Sequence, residues 1–442
     1  MEDGLVLASH MGYSLGSAVR FLRDSEHWTR SEIRQHQARM LHSLIEHCYE
    51  HVPYYKELMT ALSLRPEDFR GTEDLSKLPY LTREIIRKEG ARLRADNYPD
   101  STCIFRRSGG TTGEPIRVAV DRRARGFETG AYLRGLQWMK YEMGRPMVRL
   151  FGGSLGLESR TDIMSKIRDW AFNSRFLPAF ELRQDNLVRY VNVIREADQG
   201  ILIGYASVVL NLAELMCANG FQGTPLKSVV CTAEYMPDEW RTRIQTVLGA
   251  PVFCYYGCGE INSIGYECAG EEGYIVPEEH VVLEVGGEQQ SVFRDVGNGE
   301  ACVTALCNYA MPLIRYLNGD LIGLNHAESG HAHVRIVNLH GRVVDQLIRY
   351  DGNRVGGAFV PHLVFRSGCP VWKYQVIQTS TSNIDFHYLM REGESLSQEM
   401  QGILREAFQR HMGERMVVRF VSGEFEASRS GKHRFVINCL EE

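Results

Sequence analysis

The chain has 442 residues with a formal net charge of −5 and a pI near 6.3, which excludes nucleic-acid binding through bulk positive charge. A hydrophobic share of 44% and a charged share of 24% are those of a globular protein with material for a large core, in two or three domains. No apolar run reaches the length of a membrane span, Met1-Glu2-Asp3-Gly4 does not open a signal peptide, and 11 scattered cysteines without a CxxC pair read as reduced thiols in a cytoplasmic protein.

Taken in order, Ile33, Met40, Leu41, Leu44, Ile45 and Cys48 recur at helical spacing from Arg30 to Glu50. Val52 before Pro53 ends that helix, because a residue preceding proline is pushed out of the α region. Leu78-Pro79-Tyr80-Leu81-Thr82-Arg83 leads into a short helix. Ser108-Gly109-Gly110-Thr111-Thr112-Gly113 follows, with Arg106 and Arg107 supplying positive charge beside it. Glycines permit φ > 0, and successive backbone N–H groups can then converge on an anion. The residues alone fit a phosphate-binding loop and a hairpin turn equally well. The segment is not a Walker A loop, since Glu114-Pro115 follows Gly113 where that motif needs Lys-Ser/Thr.

Ile116, Val118 and Val120 alternate as a strand, and Arg122 to Tyr141 reads as a long helix. The middle of the chain alternates strands at Ile201–Ile203, Ser228–Cys231 and Pro251–Tyr255 with helices at Val208–Met216 and from Pro237 to Gly249. A βαβαβ run implies a parallel sheet covered by helices, with ligands beyond the carboxyl ends of the strands. Two such ends are Thr232-Ala233-Glu234 and Tyr255-Tyr256-Gly257-Cys258-Gly259-Glu260. After Cys268 short strands (Val281–Val285, Ala301–Leu306) suggest a β region that ends at Ile314-Arg315-Tyr316-Leu317-Asn318-Gly319-Asp320.

The rhythm changes again at His340-Gly341-Arg342. Strands at Trp372–Val376 and Ile384–Tyr388, a helix from Leu396 to Phe408 stopped near Gly413, and strands at Met416–Val421 and Phe435–Ile437 read as a small α+β domain. The expected fold is therefore α/β. It has a large N-terminal domain, 1–340, with a βαβ sheet and a β subregion, and a small C-terminal α+β lid domain, 341–442.

Five segments in this order resemble the adenylate-forming superfamily, more closely its phenylacetate–CoA ligase-like and CapK-like branch: the Gly/Thr loop, Ala233-Glu234, Tyr256-Gly257-x-x-Glu260, Arg315-Tyr316-x-x-Gly319-Asp320, and Gly341-Arg342 with Ser430-Gly431-Lys432. The resemblance implies that a carboxylate attacks the α-phosphate of ATP, giving an acyl-adenylate, and that a thiol or amine then displaces AMP. It makes Ser108, Gly109, Gly110, Thr111, Thr112 and Gly113 a phosphate loop and Glu260 a Mg²⁺-associated carboxylate. Ala233, Glu234, Tyr255, Tyr256 and Gly257 line the adenine side, Asp320 binds the ribose, and Arg342 is a hinge residue that contacts the nucleotide. One of Tyr255 and Tyr256 is expected to be plain packing. Lys432 is implied as the catalytic cation.

Departures from the pattern are Glu114, Asn318 in place of threonine, and Val344. The alternative for Glu260 is a helix-capping or salt-bridged carboxylate, though the set of motifs favours function, and Arg315 reads equally as structural or as a phosphate-side cation. Tyr205, Ala206, Cys258, Ile261 and Ile264 are the expected acid pocket, suited to an aromatic or modest apolar acid. The implied acceptor is CoA; transfer to an amine is an alternative, and a catalytically idle nucleotide-binding protein is another. Some relatives hold a zinc ion here. Of its Cys/His ligand set Cys268 survives, but His326 to His340 contains no cysteine; Cys258, His280, His326, His331 and His333 could rebuild a site, but solvated histidines are the expectation and no structural zinc is predicted.

Overall fold

A computed structural model describes residues 15–107, 116–151, 169, 173–287, 291–326, 330–342, 346–356, 360, 363–364, 369, 371–390, 394–423 and 435–440. The chain forms two compact units, one of residues 1–140 with 255–339 and one of residues 141–254 with 340–442. Among the described residues no helix is long and apolar enough to cross a membrane.

The first unit opens on helices Leu15–Asp24, Arg30–His51 and Pro53–Ala61. Thr29 caps the second in a capping box with Glu32. Val52 ends it in an extended conformation and Pro53 starts the next helix, so one X-Pro step turns the chain. The Arg122–Trp138 helix is capped by Asp121, whose side chain accepts from Ala124 N–H, and it stops short of the expected Tyr141. It is buried on nearly every side and carries Arg123, Glu128 and Arg134 inward. Such charges must be paired. Arg134 donates to both oxygens of Glu279 at 2.6 and 2.9 Å, and Ser25 Oγ donates to Glu279 at 2.7 Å. Burial opposes ionisation of Glu279, but Arg134, His333 and Ser25 outweigh it and hold the carboxyl well below its usual range.

The strands of this unit are mostly antiparallel. Val281–Gly286 pairs with Gly297–Ala305, and Gly297–Ala305 with Tyr316–His326. Tyr274–Ile275 joins Val334–Arg342 to Gly265–Glu267, which pairs with Tyr255 and Tyr256. The core runs from Leu41, Leu44 and Ile45 through Val281, Val303 and Ile314 to Ile336.

The second unit contains the parallel sheet. Ser228–Thr232, Ile201–Tyr205, Met147–Phe151 and Ser174–Pro178 lie side by side in that order. The first two are buried along their whole length, as strands covered on both faces should be. Helices Leu187–Arg195, Ala206–Ala218 and Asp238–Leu248 accompany them. Pro237 precedes the last of these and Gly249 ends it at φ 70°, a conformation that favours glycine. The C-terminal part has its own four-stranded sheet, ordered Val417–Ser422, Asn383–Met390, Val371–Ser380, Val436–Asn438. Helix Gln398–Met412 packs Leu404, Phe408 and Met412 into a core with Val376, Phe386 and Val418, and ends at Gly413. The α/β class and the smaller C-terminal α+β part agree with the sequence reading.

Candidate functional site

The first unit gathers Tyr256 and Glu260, from one strand end, with Tyr316, Asn318 and Asp320. Tyr256 is the last residue of its strand, and Cys258–Ile261 closes the turn beyond it with Cys258 N–H donating to the Ile261 carbonyl. This turn carries Glu260 inward, to 3% exposure. Arg83 Nη2 donates to Glu260 Oε1 at 2.8 Å, and Tyr316 O–H donates to the same oxygen at 2.9 Å. Glu260 Oε2 is buried with no hydrogen-bond partner. A hard carboxylate oxygen held in this way fits a ligand of a hard cation. Burial, and then the Glu260 charge beside it, push the Tyr316 phenol far above its ordinary range, so that phenol remains a donor.

Asn318 and Asp320 follow Tyr316 along the same strand, Tyr316–His326. Tyr256 O–H donates to Asp320 Oδ2 at 2.8 Å, and Asn318 Nδ2 donates to the Tyr256 oxygen at 2.7 Å. Tyr255 does something else: its ring stacks on Tyr266 at 5.8 Å and meets Tyr132 edge-on at 5.7 Å. Gly135 makes room for that cluster, since a Cβ there would lie 2.3 Å from the Tyr266 ring. Of the two tyrosines, Tyr255 belongs to packing and Tyr256 to the polar cluster.

Several charges have structural partners. Arg106, read as a cation beside the Gly/Thr loop, is paired through both Nη atoms with Glu128 at 2.9 and 2.5 Å. Arg315 is fully buried, donates to Glu284 at 3.2 and 2.9 Å and to the Leu78 carbonyl at 2.8 Å, and lies over the Tyr80 ring. Its role is therefore structural. Ile264 is fully buried in the core, and Ile261 lines a small cavity with Glu128, Glu260, His280 and Cys307. Cys258 is half-buried, and burial followed by the Glu260 charge keeps its thiol protonated.

In the second unit Ala233 adopts φ 68°, a conformation rare for a residue with a Cβ. The turn brings Glu234 to the start of the Ala206–Ala218 helix, where its carboxylate accepts from Ser207 N–H at 2.7 Å and Ser207 Oγ at 3.0 Å. Negative charge at a helix N-terminus is stabilising. Tyr205 and Ala206 are fully buried, Tyr205 edge-on to Phe151 at 5.1 Å. Gly341 and Arg342 end the Val334–Arg342 strand. The loop Ser108–Gly113 and Lys432 lie outside the described residues.

Among the histidines and cysteines considered for zinc, the structure brings Cys268 and His331 together with Glu271, their donor atoms within 4.8 Å of one another. These groups already have partners. His331 Nδ1 is 2.8 Å from Glu271 and Nε2 is 3.5 Å from Glu26, and Arg335 donates to Glu271. His333, fully buried, lies 3.7 Å from Glu278 and 3.8 Å from Glu279.

Arg83, Tyr316 and Glu128 were not singled out from the sequence as site residues. The available signal for Arg83 was its place just after Thr82, whose side chain caps the Arg83–Glu89 helix by accepting from Ile85 N–H.

No family model matches the chain. Its sequence is 26% identical over 340 residues to a phenylacetate–coenzyme A ligase of Thermus thermophilus, and 26% identical over 338 residues to one of Pseudomonas putida, with 72% of each chain covered in both cases. Its fold matches 2-hydroxyisobutyryl-CoA ligase in the postadenylation state in complex with 2-HIB-AMP, at a TM-score of 0.77 and 18% identity over 94% of this chain and 91% of that one. The chain is thus similar in sequence to phenylacetate–CoA ligases and in fold to a CoA ligase, in line with the resemblance that its ordered motifs carry.

Proposed function

We propose that the chain is an ATP-dependent, AMP-forming ligase that activates a carboxylic acid and passes the acyl group to CoA. The acid's carboxylate attacks the α-phosphate of ATP and pyrophosphate leaves. The CoA thiol then attacks the acyl carbon of the adenylate and AMP leaves. The observation that carries this reading is the polar cluster of the first unit, where Tyr256 donates to Asp320 and Glu260 keeps a buried oxygen without a partner. The names of the relatives support the CoA acceptor.

Each residue then has a defined task. Asp320 accepts from the ribose hydroxyls, since one carboxylate can take several hydrogen bonds. Tyr256 flanks the adenine, and Ala233 and Glu234 line the adenine side. Glu260 would hold Mg²⁺, which supplies neutralising charge to the phosphates. Ser108–Gly113 would cradle those phosphates through backbone N–H groups. Residues 341–442 would be a mobile lid with Arg342 at its hinge and Lys432 as the catalytic cation. Removing one preorganised donor of this kind typically costs ~10²–10³ in rate.

The test is pyrophosphate release from ATP and Mg²⁺ across a panel of aromatic and small apolar carboxylic acids, with wild type beside Lys432→Ala. Acid-dependent release that collapses in the variant supports adenylation, and CoA or amines added next identify the acceptor. ATP binding without release for any acid would turn the assignment to a catalytically idle nucleotide-binding protein.

A further inference from the structure

We propose that Asn318 is a positioning residue that locks Tyr256 and Asp320 into one directed hydrogen-bonded unit, and so sets the direction in which Asp320 accepts from a nucleotide's ribose. The inference rests on the nucleotide-binding reading of this cluster.

Asn318 is 5% exposed and Tyr256 8% exposed, so neither can rely on solvent for its hydrogen bonds. The Asn318 Nδ2 group can only donate, and it donates to the Tyr256 oxygen at 2.7 Å. The phenol's single proton therefore points elsewhere, to Asp320 Oδ2 at 2.8 Å. Asn318 Oδ1 in turn accepts from the Asp320 backbone N–H at 3.0 Å. One amide thus supports the carboxylate twice, through the phenol and through its own backbone. Between them Gly319 takes φ 85°, and its N–H donates to Glu300 Oε1 at 3.0 Å, which anchors the turn. Burial, followed by the adjacent Asp320 charge, keeps the phenol protonated and hence a donor.

A phenol on Oδ2 fixes the rotation of the carboxylate, so its other lone-pair directions are set before any ligand arrives. Threonine at position 318 would have to serve both partners from one oxygen atom. Alanine would leave the phenol free to rotate and the Asp320 N–H unpaired.

Calorimetric titration of the full chain with ATP and with 2′-deoxy-ATP tests this, using wild type, Asn318→Ala, Asn318→Thr and Tyr256→Phe. The expected result is that Asn318→Ala weakens ATP about tenfold, the scale of one well-made hydrogen bond. It should weaken 2′-deoxy-ATP distinctly less, because one of the hydroxyls that Asp320 would orient is missing. Asn318→Thr should recover part of the ATP affinity. Tyr256→Phe keeps the ring but removes the proton given to Asp320; it should show the same discrimination, and it carries the test if Asn318→Ala does not fold. Equal weakening of both nucleotides, or unchanged affinity for both, overturns the positioning role. A wild type that binds neither nucleotide overturns the ligase reading and this inference with it.

Discussion

Arg83 Nη2 lies 2.8 Å from Glu260 Oε1, joining the first turn of a short helix to a strand-end turn 177 residues later in the chain. The carboxylate is almost completely buried, and Arg83 is its cationic partner. Removing one member of a buried pair leaves the other uncompensated, at a cost of about 3–5 kcal/mol. Arg83→Ala should therefore lower stability by about 3 kcal/mol, near the bottom of that range because Arg83 keeps some contact with solvent and Tyr316 also holds Glu260. Arg83→Lys should lose less. Urea denaturation measures both, and in Glu260→Gln the added effect of Arg83→Ala should shrink.

The Arg134–Glu279 pair is more deeply enclosed, at 5% and 0% side-chain exposure, and Ser25 shares the same carboxylate. Glu279→Ala should cost about 3–5 kcal/mol. Ser25→Ala removes one hydrogen bond to a charged group, worth about 1.5–3 kcal/mol. Thermal denaturation should order the variants Glu279→Ala below Ser25→Ala below wild type.

His331 titrates above the ordinary histidine range, chiefly through its bond to Glu26, with burial opposing and Glu271 assisting. Its stabilising contribution is fully present below the unfolded value near 6.5 and is lost as pH rises through the higher folded value. Glu26 has the opposite sign: the His331 bond leads the causes, burial opposes it, Trp138 and Arg134 add to it, and its carboxyl is held down to about 2. Its contribution is present above the usual carboxylate range and is lost as pH falls toward about 2. Denaturation at pH 6 and pH 8.5 should show wild type losing stability relative to His331→Gln; parallel curves would count against the assignment.

Glu234 acts as a cap from outside the helix it stabilises. Glu234→Ala leaves Ser207 N–H and Oγ without their acceptor and should cost about 1 kcal/mol, the size of a lost helix cap. Glu234→Gln keeps an acceptor oxygen and should cost less. Chemical denaturation distinguishes the two, and a difference between them that fades at high salt would identify the charge component.

Local chemistry was legible in the chain itself. Val52-Pro53 marks one helix end and the next helix start, and Pro237 and Gly249 bracket another helix. Gly413 stops the C-terminal helix. Each works through the backbone of adjacent residues, so a short window contains the whole cause. The apolar runs at 201–203 and 228–231 also became strands, buried because both faces of the parallel sheet are covered. The ordered motifs also named Tyr256, Glu260 and Asp320, residues that the first unit gathers into one cluster.

Tertiary structure alone decided which charges were available. Arg106 stands beside the Gly/Thr loop in sequence, yet Glu128 takes its guanidinium; Arg315 sits in a family motif, yet Glu284 and Leu78 hold it in the core. Tyr255 and Tyr256 are neighbours of the same type, but one stacks on Tyr266 and the other donates to Asp320. The reason is common to all of them. A charged or polar side chain brought out of water must find a partner, and the partner is set by which distant segment folds beside it. Helix starts and stops are properties of neighbouring residues, whereas the role of a buried polar group depends on the whole fold.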